Sequence, residues 1–305
     1  MADVTTADTE SSSTPLLASA SVLLGALCLS VSAVLVKFAA VDAATTAMLR
    51  CAIAVPVLIP LAILEHTRRG GSSWRGAWWA IVAGVALGID YAAWTAAIYH
   101  VGAGISTVLI NVQVIVLPLL ALLVDRERIA TRFLVVLPLM LLGIGLVGGL
   151  WGTAPGGQAL TGTLLGLLAG LGYGIYLFLA RRATRQESGC LIRSLAWSTS
   201  SAAVTTTVIA PFSGGLHLAD ISARSWLLMG LLAVSGQVIA WLLVHYGSTR
   251  LAPTSTAALL LVQPVLALGL AALTLSEYPT PFQLTGAMMV VAAVAIANGL
   301  HNRLR

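Results

Sequence analysis

Charged residues are scarce in this 305-residue chain: only 9% are Asp, Glu, Lys or Arg, against about 25% in an average soluble domain. Hydrophobic residues make up 58%, and the mean hydropathy is +0.96. This composition argues against a soluble domain. The three cysteines (Cys28, Cys51 and Cys190) lie far apart and form no metal-binding or redox spacing. The polar, acidic start of the chain lacks the basic segment of a signal peptide, and we expect residues 1–15 to be a disordered tail.

Enzyme and channel signatures are also missing. The sequence has no HExxH, no GxSxG and no paired aspartates inside an apolar run. Asp90 and His245 alone would make an incomplete intramembrane acid–base site, so an enzyme is a remote alternative. A channel, equally remote, would show rings of repeated charge or a carbonyl filter. We therefore expect no catalytic residue, no cofactor and no metal site.

Long apolar runs dominate what is present. Runs of about 20 residues can cross a bilayer core as helices, and about ten of them recur along the chain. The predicted spans are Leu16–Ala39, Ala43–Leu64, Ala77–Tyr99, Ala103–Val124, Phe133–Leu150, Leu160–Ala180, Leu191–Phe212, Trp226–Tyr246, Pro253–Leu275 and Phe282–Leu300.

A 27-residue stretch occurs twice, as residues 101–127 and 251–277, aligned without gaps by an offset of 150. Ala and Leu matches are common by chance in so apolar a chain. Two pairs are not: Gln113 with Gln263 inside each run, and Glu127 with Glu277 at each end. This repeat predicts a duplicated membrane unit, typical of a secondary transporter whose site lies between the halves.

The basic residues predict the orientation. With the N-terminus in the cytoplasm, thirteen of the sixteen lie on the inner side and three on the outer side, which is the positive-inside pattern. The outer three are Lys37, Arg50 and Arg224. Because these charges lie between apolar runs, the net charge of +5 predicts no nucleic-acid partner.

Five crossings per unit would insert the second copy upside down. We therefore expect an all-α integral membrane protein of the plasma (inner) membrane, with both termini cytoplasmic and about ten transmembrane helices in two inverted five-helix repeats. The expected units are a tail (1–15), a first repeat (16–151), a linker (152–159), a second repeat (160–301) and a C-terminal tail (302–305).

The pattern of small residues, an apolar run with Pro-Leu, and Glu-Arg after a Tyr-containing span resembles the EamA-type branch of the drug/metabolite transporter (DMT) superfamily. It reads AAIYHVGAGIS…PLLALLVDRER and HYGSTRLAPTS…QPVLALGLAALTLSE. MLRCAIA with Arg50, and Lys37 at the end of the first span, resemble that family's second span and first-span lysine. The resemblance covers almost the entire chain. It implies ten helices in two inverted units and proton- or gradient-driven export of metabolites or drugs.

One position departs from that family's pattern. Its proline stands thirteen residues before the glutamate, as Pro264 does before Glu277. In the first half Val114 occupies that place, and a proline comes one turn later as Pro118. A proline bends its helix, so the fourth span is expected to bend at a different depth from the ninth.

Asp90 is the only carboxylate well inside an apolar span. Because a carboxylate near the bilayer centre costs roughly 2.5–3.5 kcal/mol on insertion scales, it should face the bundle or water. One interpretation is a group that binds a cation or carries a proton; the other is a structural pair with a neighbouring helix. Tyr91 is adjacent, and Trp94 is one turn further on the same face.

The eighth span presents Gln237, Trp241 and His245 on one face, which suits a ligand that needs both hydrogen bonds and stacking. Packing between helices is the alternative, and for His245 a position at the membrane interface is favoured. Tyr173 and Tyr176 either line a cavity or pack as core aromatics.

Asn111, Gln113 and Gln263 are amides inside spans, where amides also bridge helices. Asn111 and Gln113 cannot share a helix face, so one of them is expected to be structural. The candidate substrate-binding residues are therefore Asp90, Tyr91, Trp94, Asn111, Gln113, Tyr173, Tyr176, Gln237, Trp241 and Gln263, with Asp90 also the candidate coupling residue.

Three charged residues are expected at span ends. Arg50 is interpreted as an anchor near the outer surface, with an anionic substrate or Asp42 as alternative partners. Lys37 is interpreted in the same way. Glu277 is expected to be favoured by the N-terminus of the helix that follows it.

The sequence thus predicts a secondary transporter that exports a small organic metabolite or drug by alternating access, with proton coupling through Asp90 as a hypothesis. A facilitative exchanger or an uptake carrier of the same fold is the alternative. Asp90 favours a cationic or zwitterionic substrate if ionised and admits a neutral one if protonated. The expected partners are the small-molecule substrate, the lipid bilayer and protons; the pattern does not address oligomeric state.

Overall fold

A computed structural model describes residues 7–70, 73–126, 131–147, 157–186, 190–219, 221–248, 250–251, 259–260 and 262–297. Within these ranges every regular element is a helix, which confirms the predicted all-α class. The α-helices are α1 (Ala7–Ala39), α2 (Ala43–Arg69), α3 (Trp74–Val101), α4 (Ala103–Leu109), α5 (Gln113–Asp125), α6 (Thr131–Val147), α7 (Gly157–Gln186), α8 (Leu191–Ile209), α9 (Ala223–Leu231), α10 (Ala240–Ser248), α11 (Val262–Leu275) and α12 (Pro281–Ala297).

Six helical segments are long and apolar enough to cross a membrane. They are Leu16–Ala39, Ala43–Arg69, Trp74–Val101, Ala103–Asp125, Gly157–Gln186 and Ala223–Gly247. Three shorter apolar helices lie in α6, α11 and α12. The seventh predicted span is the helix α8, which is rich in Ser and Thr. A multi-pass membrane protein follows from these helices, while the count of ten crossings stays a prediction.

Two predicted boundaries need correction. The helix α1 begins at Ala7, so residues 7–15 are helical rather than a disordered tail. Pro15 removes one backbone N–H from this segment, but each of the other residues that extend the helix adds one hydrogen bond. The helix α7 begins at Gly157, inside the predicted linker. The rest of that linker, Glu127 and the predicted C-terminal tail lie outside the described residues.

Helix starts are set by side chains that accept backbone N–H groups. Asp42 accepts the Thr45 N–H at 2.9 Å and so begins α2. At α12, the Gln283 side chain accepts the Thr280 N–H at 2.9 Å, and the Thr280 hydroxyl accepts the Gln283 N–H at 3.3 Å. This is the reciprocal capping box that the TPFQ sequence predicts.

The 150-residue repeat is visible in the backbone. Arg126 and Ser276, which are equivalent positions, both adopt a left-handed conformation with φ of 55°. Packing is reciprocal as well: α3 of the first half packs on α7 and α8, and the equivalent segment from α9 to α10 packs on α1 and α2. Each half therefore supplies a helix to the core of the other.

Equivalent helices also run antiparallel where they meet. Near the end of α2, Glu65 accepts the Arg193 N–H from the start of α8 at 2.9 Å. Near the start of α2, the Thr45 hydroxyl accepts the His217 N–H, just beyond the end of α8, at 2.9 Å. The two helices thus lie side by side in opposite directions.

Three described segments depart from α-helical geometry, and one of them, the 3₁₀ turn Ala210–Ser213, continues the end of α8. Between α4 and α5 the fourth span tightens into a 3₁₀ turn at Ile110–Val112, so its break lies before Pro118 rather than at that proline. Between α9 and α10 the chain widens into a π-helix at Leu232–Ile239. Such wide turns free backbone carbonyls and are frequent at functional sites.

Candidate functional site

The residues predicted on the third span lie in the centre of the bundle. Asp90, Tyr91 and Trp94 are 1%, 5% and 5% exposed. The expectation that Asp90 turns away from lipid is therefore confirmed. The approach of α7 to this point depends on Gly172, because a Cβ there would lie 3.0 Å from the Ala86 carbonyl oxygen and 3.1 Å from the Asp90 nitrogen.

A chain of hydrogen bonds joins four helical segments beside Asp90. The Trp241 indole N–H donates to the Tyr91 hydroxyl at 3.1 Å, and that hydroxyl donates to Gln237 Oε1 at 2.5 Å. Gln237 Nε2 then donates to Thr199 Oγ1 on α8 at 3.1 Å. All four side chains are buried. This chain thus connects three of the predicted residues with Thr199, which the prediction had not included.

Aromatic rings extend this chain toward α7. Trp241 meets Tyr176 and Tyr173 edge-to-face, with ring centroids 5.3 and 5.8 Å apart. Tyr173 and Tyr176 stack on each other at 6.4 Å. His245 lies half-buried with its ring 5.7 Å from that of Trp241, so it adjoins the cluster instead of extending to the interface. These contacts form one aromatic wall in the bundle.

Arg50 differs most from its expected place. It is 1% exposed, and its guanidinium carbon lies 4.0 Å from the Tyr91 ring centroid and 5.4 Å from that of Trp94. Its Nη2 donates to the Gly236 carbonyl oxygen in the π-helix at 3.3 Å. Asp42 instead caps α2 and contacts His217 at 3.5 Å. Arg50 is therefore a buried cation of the central site and not a surface anchor.

The central charges are incompletely paired within the described residues. Asp90 Oδ1 and both Nε and Nη1 of Arg50 are buried without a hydrogen-bond partner there. The described chain holds no ion pair between Arg50 and Asp90 within 4.0 Å. Native proteins pair nearly all such groups, so these unpaired polar atoms distinguish the central site from the apolar packing around it.

Of the three span amides, Gln113 reaches the core, because its side chain lies within hydrogen-bonding distance of Tyr173 in the aromatic wall. Asn111 Nδ2 donates to the Thr107 carbonyl oxygen one turn earlier at 2.8 Å, a structural use at the break of the fourth span. Gln113 Oε1 is buried and has no partner among the described residues. The backbone oxygen of Gln263 accepts the Ser30 hydroxyl at 2.9 Å, which ties α11 to α1.

The two halves are also joined by an ion pair at one end of the bundle. Lys37 Nζ lies 3.2 Å from Glu277 Oε1, and Glu277 Oε2 accepts the Ala103 N–H at 2.7 Å. Glu277 thus caps α4 of the other half, not the helix that follows it, because the chain brings the α4 N-terminus closer. A cavity of about 260 Å³ adjoins this contact, lined by residues that include Tyr99 and Ile105.

A second ion pair lies at the opposite end of the fourth span. Asp125, the last residue of α5, pairs with Arg182 on α7. Ala103 and Asp125 bound a 23-residue span, so the two contacts are roughly 33 Å apart along the helix. Each pair joins one residue of the first half to one of the second.

Sequence reasoning missed one residue of the central site and misplaced another. Thr199 lies in a run of Ser and Thr on α8, and this polar density in an apolar chain was a usable signal. Arg50 was placed by its distance from the span end, which says nothing about the face it occupies. Within the described residues, no group of three or more His, Cys, Asp or Glu is arranged to hold a metal ion.

A family model and a solved structure both match this chain over most of its length. The model of the "EamA-like transporter family" matches the chain twice, over residues 16–149 and 160–299. A solved structure described as "Crystal structure of protein" superposes with a TM-score of 0.62 at 19% identity, covering 96% of this chain and 99% of the other, which indicates a shared fold. No match was found among curated proteins.

Proposed function

The chain belongs to the EamA-like transporter family, and we propose that it is a secondary transporter that exports a small organic metabolite or drug by alternating access. The substrate site is the central cluster of Asp90, Tyr91, Gln237 and Trp241, with Arg50. The positive-inside count supports a plasma-membrane orientation with both termini cytoplasmic.

An inverted repeat is the basis of this proposal. The antiparallel packing of α2 on α8 supports it, and so does that of α6 on α12. A Cβ added at Gly143 would lie 2.9 Å from Val290 Cγ2, and one added at Gly286 would lie 2.9 Å from the Val147 backbone nitrogen. A later residue of α6 thus contacts an earlier residue of α12, so the two helices are antiparallel. Two such halves can adopt two nearly equivalent packings, each open to one side.

The observation that carries alternating access is the pair of contacts between the halves, Lys37–Glu277 at one end and Asp125–Arg182 at the other. Their side chains are about a quarter to a third exposed, between 25% and 37%. Ion pairs of this exposure contribute only about 0–1 kcal/mol. Each ion pair therefore closes one end of the bundle, and breaking it requires little free energy. A transporter that alternates between two open states requires such weak closures.

Flux through purified protein tests the function directly. After a thermal-shift screen of amino acids, amines, sugars and nucleobases, the solute that stabilises the protein most is loaded into proteoliposomes. We expect saturable, stereoselective flux that a double substitution of Tyr91 and Trp241 by alanine abolishes. Flux proportional to concentration at all levels would indicate a channel and contradict the proposal.

Proton coupling through Asp90 is the finer part of the proposal. The Asp90→Asn variant should lose the response of flux to an imposed pH gradient. Because Asp90 also lies in the substrate site, exchange of substrate should weaken in this variant but stay measurable. Full gradient-dependent transport with unchanged pH dependence in this variant would remove Asp90 from that role. Wild-type flux that ignores the gradient would favour the facilitative exchanger, and net inward movement an uptake carrier.

A further inference from the structure

One end of the bundle is closed by a contact that the sequence cannot repeat at the other end. Glu277 Oε2 accepts the Ala103 N–H at 2.7 Å, and its Oε1 lies 3.2 Å from Lys37 Nζ. Ala103 is the first residue of α4, and the first N–H groups of a helix have no partner within it. The carboxylate therefore satisfies this N–H only while the second half lies against the first.

Gly102 makes room for that carboxylate. Its φ of 90° lies in the left-handed region, which residues with a Cβ rarely adopt. A Cβ added to Gly102 would also lie 2.7 Å from Glu277 Oε2. The contact thus needs a glycine at position 102, a backbone N–H at position 103 and a carboxylate at position 277.

The 150-residue repeat shows which of these three features recurs in the other half. The equivalent pairs are Glu277 with Glu127, Gly102 with Ala252, and Ala103 with Pro253. The second member of each pair lies outside the described residues, so the comparison is one of sequence. Proline has no backbone N–H, so Glu127 cannot accept the bond that Glu277 accepts. Of the three features, only the carboxylate recurs.

The opposite end has the ion pair between Asp125 and Arg182, whose side chains are 37% and 28% exposed. Within the described residues the Asp125 carboxylate accepts from that side chain and caps no helix of the other half. Exposed ion pairs stabilise little at either end. The two ends therefore differ chiefly by one capping hydrogen bond, which favours closure of the Lys37–Glu277 end roughly 2- to 30-fold.

We propose that the unloaded protein rests closed at the Lys37–Glu277 end and open at the Asp125–Arg182 end, which the positive-inside orientation places in the cytoplasm. This inference rests on the proposed transport function and adds to it the side from which solute is first bound. The apparent affinity for solute on one side rises with the fraction of protein open to that side. The resting state therefore suits loading from the cytoplasm, which is the first step of export.

Distances between paired spin labels measure which end is open. After replacement of the native cysteines, one pair (Phe38→Cys with Tyr278→Cys) spans the Lys37–Glu277 contact, and a second (Val124→Cys with Gln186→Cys) spans the Asp125–Arg182 contact. All four positions are exposed. In full-length protein in lipid nanodiscs without solute, the first pair should populate mainly its shorter distance and the second mainly its longer one. The reverse distribution would overturn the inference.

Ala103→Pro removes the N–H and gives the first half the residue that the second half has at the equivalent position. Proline is well tolerated as the first residue of a helix, so α4 should still form. The population open at the Lys37–Glu277 end should rise roughly 2- to 30-fold. Ala223→Pro makes the same change at the first residue of α9, which Ser222 caps through the Ser225 N–H, and should leave both distance distributions unchanged.

Glu277→Ala removes the acceptor in place of the donor and should give a shift at least as large, so it decides the question if Ala103→Pro does not fold. Equal distributions in wild type, Ala103→Pro and Glu277→Ala would contradict the role of this hydrogen bond. The side of the membrane is tested by labelling Tyr278→Cys in intact cells with an impermeant maleimide. Labelling is expected there, and labelling only in inside-out vesicles would place the closed end in the cytoplasm and overturn the inference.

The two proposals fail separately. Saturable flux through a protein that rests open at the Lys37–Glu277 end would contradict the resting state and leave transport intact. The expected resting state without saturable flux in proteoliposomes would contradict transport and leave the asymmetric closure intact.

Discussion

Replacing Glu277 by alanine should shift the bundle toward a state that is open at the Lys37–Glu277 end. The substitution removes a hydrogen bond to the Ala103 N–H at 2.7 Å and an ion pair to Lys37 at 3.2 Å. A lost helix cap costs about 0.5–2 kcal/mol, and a partly exposed ion pair about 0.2–1 kcal/mol. The sum, roughly 1–3 kcal/mol, changes a two-state equilibrium about 5- to 150-fold.

Two further variants separate the contributions of the helix cap and the ion pair to the free energy of closing this end. Glu277→Gln keeps an acceptor for the Ala103 N–H and loses only the charge, so its effect should be smaller. Lys37→Met loses the ion pair and the contact of Nζ with the Tyr99 ring 5.7 Å away. Together these contribute about 0.7–2 kcal/mol, which shifts the equilibrium roughly 3- to 30-fold. The expected order of opening is therefore Glu277→Ala first, then the two milder variants.

Thiol labelling measures the opening. The three native cysteines, none of which forms a disulfide in the described structure, are replaced, and Ile105→Cys is introduced in the adjoining cavity. The rate of maleimide labelling in detergent should rise in the Glu277→Ala variant. Phe212→Cys is the control, because Phe212 is 89% exposed, does not line that cavity and should label at the same rate in every background.

The opposite end of the bundle provides the decisive comparison. Asp125→Ala removes the contact with Arg182, and alternating access requires that opening this end closes the other. Labelling of Ile105→Cys should therefore become slower in the Asp125→Ala background. If it became faster, or if Glu277→Ala left it unchanged, the two contacts would not be opposing closures and the reasoning would be wrong.

Two stability predictions accompany this one. Gly84→Ala should destabilise the protein by about 1–3 kcal/mol or more, because its Cβ would lie 2.2 Å from the Ser198 carbonyl oxygen. The control Gly269→Ala meets nothing within 4 Å and should be neutral or stabilising by up to about 1 kcal/mol. Thermal unfolding in detergent measures both. Tyr91→Phe should cost about 2 kcal/mol, since it leaves two buried partners of the hydroxyl unpaired, whereas Tyr278→Phe should change unfolding by less than about 0.5 kcal/mol. Equal losses in a variant and its control would refute either argument.

Local patterns in the sequence were sufficient for several features of the structure. The apolar runs predicted the helical class, and the Thr280–Gln283 spacing predicted the capping box that begins α12. The polar stripe on the eighth span predicted that Gln237 and Trp241 face the core. Each of these depends on spacing within one helix, which the sequence contains in full.

Other features depended on which helices become neighbours. Glu277 was assigned to the helix after it, but it caps α4, 174 residues away in sequence. Thr199 became part of the site because α8 packs beside the π-helix. No periodicity within a helix contains that information.

Arg50 shows which features the sequence determined and which depended on the tertiary structure. The sequence by itself determined the hydrophobic segments, the duplication at an offset of 150 and the scarcity of intramembrane charge, because composition and helical spacing are local properties. Only the tertiary structure decided that Arg50 and Asp90 share one buried core with the aromatic wall, because that depends on the reciprocal packing of helices from the two halves. A charge seven residues into α2 is near the surface by counting, yet it is buried because α3 and the π-helix cover it.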